Sequence, residues 1–193
     1  GGGGGGSSKK VSLKIITPGK ISAYQNDTIT IPIKLMNTGE KNFYGINLSI
    51  QAYKDGKTTK QVKTTINKNY FEELKINQEK NATLKIDFET DVIGDYEIRI
   101  DAKSKTPIYT DWAKIYINLQ AINESNVKDL IIFTQELIAK NPECLEINEL
   151  VEQAQRHLDL GEYELAKQKT QKAITYCKQN IEQKTTPRKK QEK

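Results

Sequence analysis

The sequence predicts a mainly β protein with an α-helical C-terminal part: an antiparallel β-sandwich over residues 11–121, then a small three-helix module over residues 122–183. Two observations predict this fold class. Apolar side chains recur with a period of two up to about residue 120, which is typical of strands that bury one face. From Asn123 the apolar period becomes that of an amphipathic helix. The first part holds no stretch long enough for the crossover helices of a parallel sheet.

The sandwich part contains alternating runs separated by turn residues, which together predict seven or eight strands. Pro32 lies in the middle of the second run. Because proline cannot donate a ladder hydrogen bond, we expect that strand to be at a sheet edge there or to carry a bulge. The turn signals include Pro18-Gly19, Asn26-Asp27, Asn37-Thr38-Gly39, Asp55-Gly56, Gly94-Asp95 and Pro107. The alternating runs are Val11–Ile15, Ile29–Leu35, Ile46–Ala52, Val62–Ile66, Leu84–Phe88, Tyr96–Ala102 and Ala113–Leu119.

Three apolar stripes at helical spacing predict three helices in the C-terminal part. The stripes run over Val127–Ile138, Ile147–Leu158 and Tyr163–Ile181. Asn141-Pro142-Glu143 has the residue order of a helix start, with a cap, a proline and an acid. Gly161 ends the second stripe, so the last two helices should form a tight hairpin. A bundle of about 60 residues is marginal alone, so we expect the first helix to pack on the hairpin or on the sandwich.

The ends of the chain and its composition exclude several classes of protein. Residues 1–10 are glycine-rich and typical of a linker or tag remnant, and residues 184–193 predict a disordered basic tail. One histidine and two cysteines cannot form a four-ligand zinc site or a four-thiolate iron–sulfur cluster. The longest apolar run is Leu130–Phe133, far shorter than a membrane span of about 20 residues. We expect no cofactor.

The formal net charge of +5 is unevenly distributed along the chain. The sandwich and the tail are basic, whereas the helical module is acidic. Lysines alternate along the strands and are interleaved with acids, without a dense patch of stacking aromatic residues. This pattern indicates solvated strand faces, and we expect no nucleic-acid partner.

The two cysteines, Cys144 and Cys177, lie at equal distances in sequence from the helix break between Leu160 and Gly161. Residues equidistant from the turn of an antiparallel hairpin lie side by side, so the sequence predicts a Cys144–Cys177 disulfide. The alternative is a pair of buried free thiols in a cytosolic bundle. The disulfide predicts folding in an oxidising, extracytoplasmic compartment.

Four Asn-x-Ser/Thr sequons also fit an extracytoplasmic setting, although ordinary polar surface explains them equally well. Three of them are expected at turns or at the joint between the two parts, and one is expected to face outward from a strand. The four asparagines are Asn26, Asn81 and Asn123 at the turns or joint, and Asn47 in the strand.

The segment from Asn26 to Leu119 resembles the CARDB-type (cell-adhesion-related) Ig-like domains of archaeal and bacterial surface proteins. The resemblance rests on DTITIPIKLMNTGE (27–40), GINLSIQAYKDGK (45–57), INQEKNATLKIDF (76–88) and GDYEIRIDA (94–102). It implies an Ig-like sandwich, an Asn-x-Gly turn at Asn37 and Gly39, and a Gly-x-Tyr corner at Gly94 and Tyr96. Tyr96 would then make the structural hydrogen bond of a tyrosine corner.

The helical hairpin resembles a single tetratricopeptide unit, on Gly161, Tyr163, Ala166 and Ala173. A single copy cannot form the stacked groove with which arrays of such units bind peptides. Peptide binding is therefore not expected here, and the hairpin is better described as a disulfide-closed helical module.

Few residues suggest chemistry. His157 has no triad pattern around it and is expected to be a surface or packing residue. The cluster Asp87, Glu89, Asp91 and Asp95 is a weak calcium candidate without EF-hand spacing, and a solvated acidic loop is the favoured alternative.

Two aromatic residues of the last strand, Trp112 and Tyr116, share its outward side. They are expected to pack against the helical module, since the strand leads straight into it. The alternative is that they form a binding face.

The combined interpretation is a non-catalytic, extracytoplasmic Ig-like module for adhesion, binding or scaffolding in a cell-surface or membrane-anchored protein. Its partner would be a protein or a cell-surface glycan, and any membrane contact would come from a segment outside this chain. The alternative is a structural or accessory subunit of a larger membrane complex. A carbohydrate-active enzyme using the acid cluster and a cytoplasmic helical adaptor are further hypotheses.

Overall fold

A computed structural model describes residues 8–185 and divides the chain after Gln120 into two compact units. Among the described residues, the regular elements of the first unit are all strands, and those of the second are all helices. The strands are β1 (Leu13–Ile16), β2 (Lys20–Tyr24), β3 (Thr28–Asn37), β4 (Phe43–Lys54), β5 (Lys57–Thr58), β6 (Val62–Ile66), β7 (Tyr70–Leu74), β8 (Glu79–Phe88), β9 (Gly94–Ser104) and β10 (Tyr109–Gln120). The helices are α1 (Glu124–Lys140), a 3-10 helix (Pro142–Ile147), α2 (Asn148–Asp159) and α3 (Tyr163–Thr185).

The first unit is a β-sandwich of two sheets, as the alternating runs predict. One sheet has the strand order β1-β3-β8-β6, and the other has the order β2-β10-β9-β4-β5, with β7 also paired to β4. The inward side chains of both sheets form one apolar core, which includes Ile31, Leu84, Ile98 and Ile115, each at most 1% exposed. Burying such a side chain stabilises the fold by about 1.5–3 kcal/mol.

The sandwich is mostly antiparallel, as predicted, with one exception: β2 runs parallel to β10. After β1 has paired with β3 in the first sheet, the chain turns at Pro18-Gly19 and β2 joins the second sheet. Nearly the whole sandwich separates β2 from β10 in sequence, so this parallel pair needs no crossover helix. The carboxylate of Asp111 in β10 accepts a hydrogen bond from the Ile15 N–H at 2.8 Å, which fastens β1 to the opposite sheet.

The described residues form ten strands, more than the seven or eight expected, because three short strands carry weak signals. β5 has only two residues, β2 is a five-residue edge strand, and β7 has two adjacent acids that break any alternation. The alternation also fails inside β4. Gly45 has a φ of 64°, and around it Phe43 and Ile46 are both buried although they are three residues apart.

Pro32 lies on a stretch of β3 that has a neighbour on one side only. It pairs with Thr83 of β8, whereas β1 covers β3 only from Lys34 to Asn37. Both backbone groups of Thr83 bond to Asn67 on its other side, so the pair with Pro32 is not a hydrogen-bonded one. The imide nitrogen of Pro32 therefore faces the uncovered edge, and the edge alternative is confirmed.

The second unit is a three-helix module in which α1 packs on the α2–α3 hairpin. Its core includes Val127, Ile131, Ala154 and Ala173. Gly161 ends α2 with a φ of 75°, a left-handed conformation that favours glycine. Within residues 8–185, no helix has the length and apolarity that a membrane span requires.

The predicted start of the second helix at Asn141-Pro142-Glu143 is wrong in detail. Pro142 begins a 3-10 helix, and α2 begins only at Asn148. Asn141 makes no side-chain cap there. Its amide instead donates to the carbonyl of Leu137 in the last turn of α1 at 2.7 Å, so it serves the helix that ends rather than the one that begins.

Candidate functional site

The outward side of three adjacent strands carries the main cluster of exposed aromatic and charged side chains in the sandwich. The ladder register places residues of β10, β9 and β4 side by side in rows. We call this surface the β4–β9–β10 face. Its rows are Tyr116, Glu97 and Tyr53; then Lys114, Arg99 and Gln51; then Trp112, Asp101 and Ser49.

Trp112 lies at the end of this face, where its indole contacts two cations and is otherwise open to solvent. The guanidinium carbon of Arg99 is 5.3 Å from the ring centroid, and the ammonium nitrogen of Lys114 is 5.8 Å from it. Both distances are within the range of cation–π attraction. The side chain remains 53% exposed, so the two cations orient the indole without covering it.

The same two cations are fixed by ion pairs. Arg99 donates to the Asp101 carboxylate from Nη2 at 2.8 Å, and Lys114 Nζ lies 2.8 Å from Glu97 Oε1. The hydrogen bond to Asp101 raises the pKa of Arg99 above its ordinary value, and the bond to Glu97 raises the pKa of Lys114. The ion pairs hold both cations beside the indole in the absence of a ligand.

A shallow groove crosses the strands at one end of the β4–β9–β10 face. A depression of about 440 Å³ lies over Tyr53, Glu97 and Tyr116, and a second of about 460 Å³ continues past Tyr116 to Lys20 and Asn118. Tyr116 lines both depressions and is 52% exposed. We call the two depressions together the tyrosine groove.

Tyr96 is buried beneath this groove and makes a structural contact of a different kind from a tyrosine corner. Its hydroxyl donates to Gln61 Oε1 at 3.2 Å and accepts from Lys54 Nζ at 3.2 Å. The hydroxyl therefore bonds to side chains, whereas the hydroxyl of a tyrosine corner bonds to the upstream backbone. The ring packs edge-on against Phe88, with the centroids 5.2 Å apart. Tyr96 is therefore a packing residue that supports the floor of the groove.

The acidic residues of the weak calcium candidate make separate local contacts in the structure. Asp87 pairs with Lys85 at 3.0 Å and accepts from the Thr28 hydroxyl at 3.0 Å, whereas Asp95 accepts from the Asn118 amide. In residues 8–185, no three His, Cys, Asp or Glu side chains come together as a metal site. Asp87 and Asp95 are thus engaged in separate local pairs, and calcium binding by Asp87, Glu89, Asp91 and Asp95 stays a prediction.

His157 closes the turn of the helical hairpin. Its Nδ1 lies 2.6 Å from Glu162 Oε2, and its backbone carbonyl accepts from the Glu162 N–H at 2.9 Å. Both contacts link the end of α2 to the residue that precedes α3. This is a structural role at the surface of the turn.

Cys144 and Cys177 form a disulfide, as their positions around the hairpin turn predict. Both residues are 0% exposed. The same end of the hairpin is held by the Asn180 amide, which donates to the Glu143 carbonyl at 3.0 Å, and by Lys184 Nζ, 3.5 Å from the Glu143 carboxylate. The bond closes a loop with a sequence separation of 33 residues.

All four sequon asparagines are exposed, and only Asn81 lies in a setting other than the one expected. Asn26 lies in a turn with a φ of 62°, and Asn47 faces outward from β4. Asn81 was expected at a turn, yet it lies in β8 opposite Lys34. Asn123 caps α1, accepting from the Asn126 N–H at 2.9 Å. Glycosylation of these side chains stays a prediction.

The sequence singled out Trp112 and Tyr116 on the face but missed Arg99, Glu97 and Tyr53. The alternation within each strand does predict that these three side chains face outward. Their proximity depends on the register between strands that are far apart in the chain, and no local pattern encodes that register. Packing of Trp112 and Tyr116 against the helical module stays a prediction.

No protein-family model matches this chain, and no curated protein matches it. Solved structures that are similar to it include the secreted serine protease VesC from Vibrio cholerae, with 11% identity over 55% of this chain and 23% of that chain, and a TM-score of 0.45. The CARDB domain of the PF1109 protein from Pyrococcus furiosus has 14% identity over 58% of this chain and 94% of that domain, with a TM-score of 0.41. The CooA pilin subunit from enterotoxigenic Escherichia coli has 10% identity over 56% and 97%, with a TM-score of 0.36.

This chain spans less than a quarter of the protease, so the protease activity does not transfer to it. At these identities and TM-scores the matches carry no inference about function. The tetratricopeptide-like character of the hairpin stays a prediction.

Proposed function

We propose that this chain is a non-catalytic, extracytoplasmic module for adhesion or scaffolding that binds its partner on the β4–β9–β10 face. The observation that carries the proposal is Trp112, held half-exposed by Arg99 and Lys114. Tryptophan, tyrosine and arginine contribute most of the binding energy in protein interfaces. Side chains that are already ordered lose little conformational entropy on binding, so this face is suited to recognition.

The disulfide supports the extracytoplasmic part of the proposal. Disulfides persist in oxidising compartments and are reduced in most cytosols. The Cys144–Cys177 bond closes a helical unit of modest size, where covalent closure of a loop contributes most. Peptide mapping of the protein from its native cells, without reductant, tests this part. Free thiols at both positions would exclude the proposed compartment.

The binding part is tested with beads that carry the complete chain and with the native cells as the target surface. Trp112→Ala and Arg99→Ala are each expected to lower cell binding about tenfold or more. Tyr44→Ala is the matched control, because Tyr44 is an exposed aromatic residue of β4 outside the three rows of the face. Equal binding by all variants would overturn the proposal for this face.

Purification from native membranes separates adhesion from the alternative of a subunit in a membrane complex. A stoichiometric partner that stays bound through purification, and is lost with Trp112→Ala, would favour the subunit function. Isolation of the chain without such a partner, together with cell binding by the beads, would favour adhesion.

A further inference from the structure

We propose that the tyrosine groove binds an uncharged oligosaccharide. This inference rests on the proposed binding function and names the ligand class for one part of the β4–β9–β10 face. It is carried by the shape of the groove, by the aromatic side chains in it and by the balance of its charges.

The groove has the length of a short sugar chain. It extends from Lys20 on β2, across Tyr116 on β10 and Glu97 on β9, to Tyr53 on β4. Four adjacent strands span three interstrand spacings, which is about 14 Å. Several linked pyranose rings cover this distance. The groove is open along its length, so a chain longer than the groove could enter it from the side.

Two tyrosines present rings and hydroxyls in the groove. Tyr116 is the shared wall of the two depressions, and Tyr53 lies in the same row two strands away, with Glu97 between them. A tyrosine offers an apolar ring face and a polar tip. The C–H face of a pyranose stacks on such a ring, while its equatorial hydroxyls reach the polar groups beside it.

The charges that line the groove balance. The cations are Lys20, Arg99 and Lys114, and the carboxylates are Asp55, Asp95 and Glu97. A polyanion requires an excess of cations, and a basic peptide would require an excess of carboxylates. Cationic donors and carboxylate acceptors side by side suit hydroxyl groups, because each hydroxyl both donates and accepts.

The groove is ordered without a ligand. Glu97 is paired with Lys114, and Asp95 accepts from the Asn118 amide at 2.7 Å. Beneath them the Tyr96 hydroxyl bonds to Gln61 and Lys54. A prearranged set of polar groups around aromatic rings is the usual architecture of a small-ligand site.

The test is an NMR titration of the complete ¹⁵N-labelled chain with cellohexaose, mannohexaose and chitohexaose, each in a separate experiment. At least one of these probes is expected to shift the amide signals of Tyr53, Glu97 and Tyr116. Tyr116→Ala is expected to weaken that binding about tenfold. Tyr70→Ala is the matched control, since Tyr70 is 45% exposed on β7 of the same sheet and lies outside the groove. Native-like spectra of both variants establish that they are folded.

Absence of shifts with all three probes overturns the inference, as do shifts confined to other surfaces or equal affinity of Tyr116→Ala. A heparin hexasaccharide serves as the charged probe, and binding of heparin alone overturns the assignment to an uncharged sugar. If no probe binds but Trp112→Ala abolishes binding to cells, the proposed function stands and the sugar inference fails. If cell binding is also unaffected, both fail.

Discussion

The side-chain amide of Asn37 donates a hydrogen bond to the backbone carbonyl of Leu74 at 3.0 Å in the interior of the sandwich. The same amide nitrogen donates to the Lys41 carbonyl at 2.8 Å, and its oxygen accepts from the Gly39 N–H at 3.0 Å. Asn37 is only 1% exposed. One side chain therefore satisfies three backbone groups and links the turn after β3 to the end of β7.

Asn37→Ala should destabilise the sandwich by about 2–3 kcal/mol, because it leaves the carbonyls of Leu74 and Lys41 and the N–H of Gly39 without this partner. Urea unfolding followed by the fluorescence of Trp112, the single tryptophan, measures the change. Asn81→Ala is the control, since Asn81 is exposed on β8, and it should change stability by less than about 0.5 kcal/mol. A similarly small loss for Asn37→Ala would contradict this account of the turn.

Gly39→Ala should also destabilise the sandwich, by about 1–3 kcal/mol. A Cβ at this position would lie 2.6 Å from the Ser12 nitrogen and 2.8 Å from the Lys10 oxygen, and both are backbone atoms that cannot move alone. Gly19→Ala is the matched control, because nothing lies within 4 Å of the Cβ it would add. Thermal unfolding of the two variants compares them. Equal melting temperatures would contradict this prediction, because they would show that the backbone at Lys10 and Ser12 moves away from the added methyl group at little cost.

Replacing both cysteines with serine should lower the stability of the helical module by about 3–4 kcal/mol, through the entropy of the opened loop of 33 residues. Circular dichroism at 222 nm during thermal unfolding follows the helices. The unaltered protein should lose a comparable amount of stability in strong reductant. The double variant is the control, and reductant should not change its stability. A change there would show that reductant destabilises the protein by a route other than the disulfide.

The carboxyl group of Asp87 should titrate below its ordinary value of 3.8, since hydrogen bonds from Lys85 and Thr28 lower its pKa. A depressed pKa in the folded state adds stability above the unfolded pKa, and this stability is lost as the pH falls through the folded pKa. The added stability is thus fully present at neutral pH, and its loss is confined to pH values below about 4. Carboxyl-carbon NMR measures the titration midpoint. Lys85→Ala should raise it, and an unchanged midpoint would exclude the ion pair as the cause.

Much of the architecture could be predicted because it depends on local periodicity. The runs at Ile29–Leu35 and Tyr96–Ala102 became buried strands, and Cys144 and Cys177 met because they lie at equal distances in sequence from the helix break between Leu160 and Gly161. The helix start at Asn141 was misplaced, because the same short sequence can end one helix or begin the next.

The groove could not be predicted, since it depends on alignment between distant segments. Tyr53, Glu97 and Tyr116 share a row only through the registers of β4 with β9 and of β9 with β10. A shift of one residue in either ladder would turn one of these side chains toward the core. Turn lengths, bulges and core packing together set that register, and none of these is visible in a single strand.

Pro32 has a consequence for how this protein meets other copies of itself. On the stretch of β3 that β1 leaves uncovered, the ring removes the one N–H with which that position could extend the ladder. A strand from another molecule that approached this edge would lack one backbone N–H to bond with, and it would collide with the proline ring. The first sheet therefore resists the addition of strands from other molecules along the part of β3 that β1 does not cover.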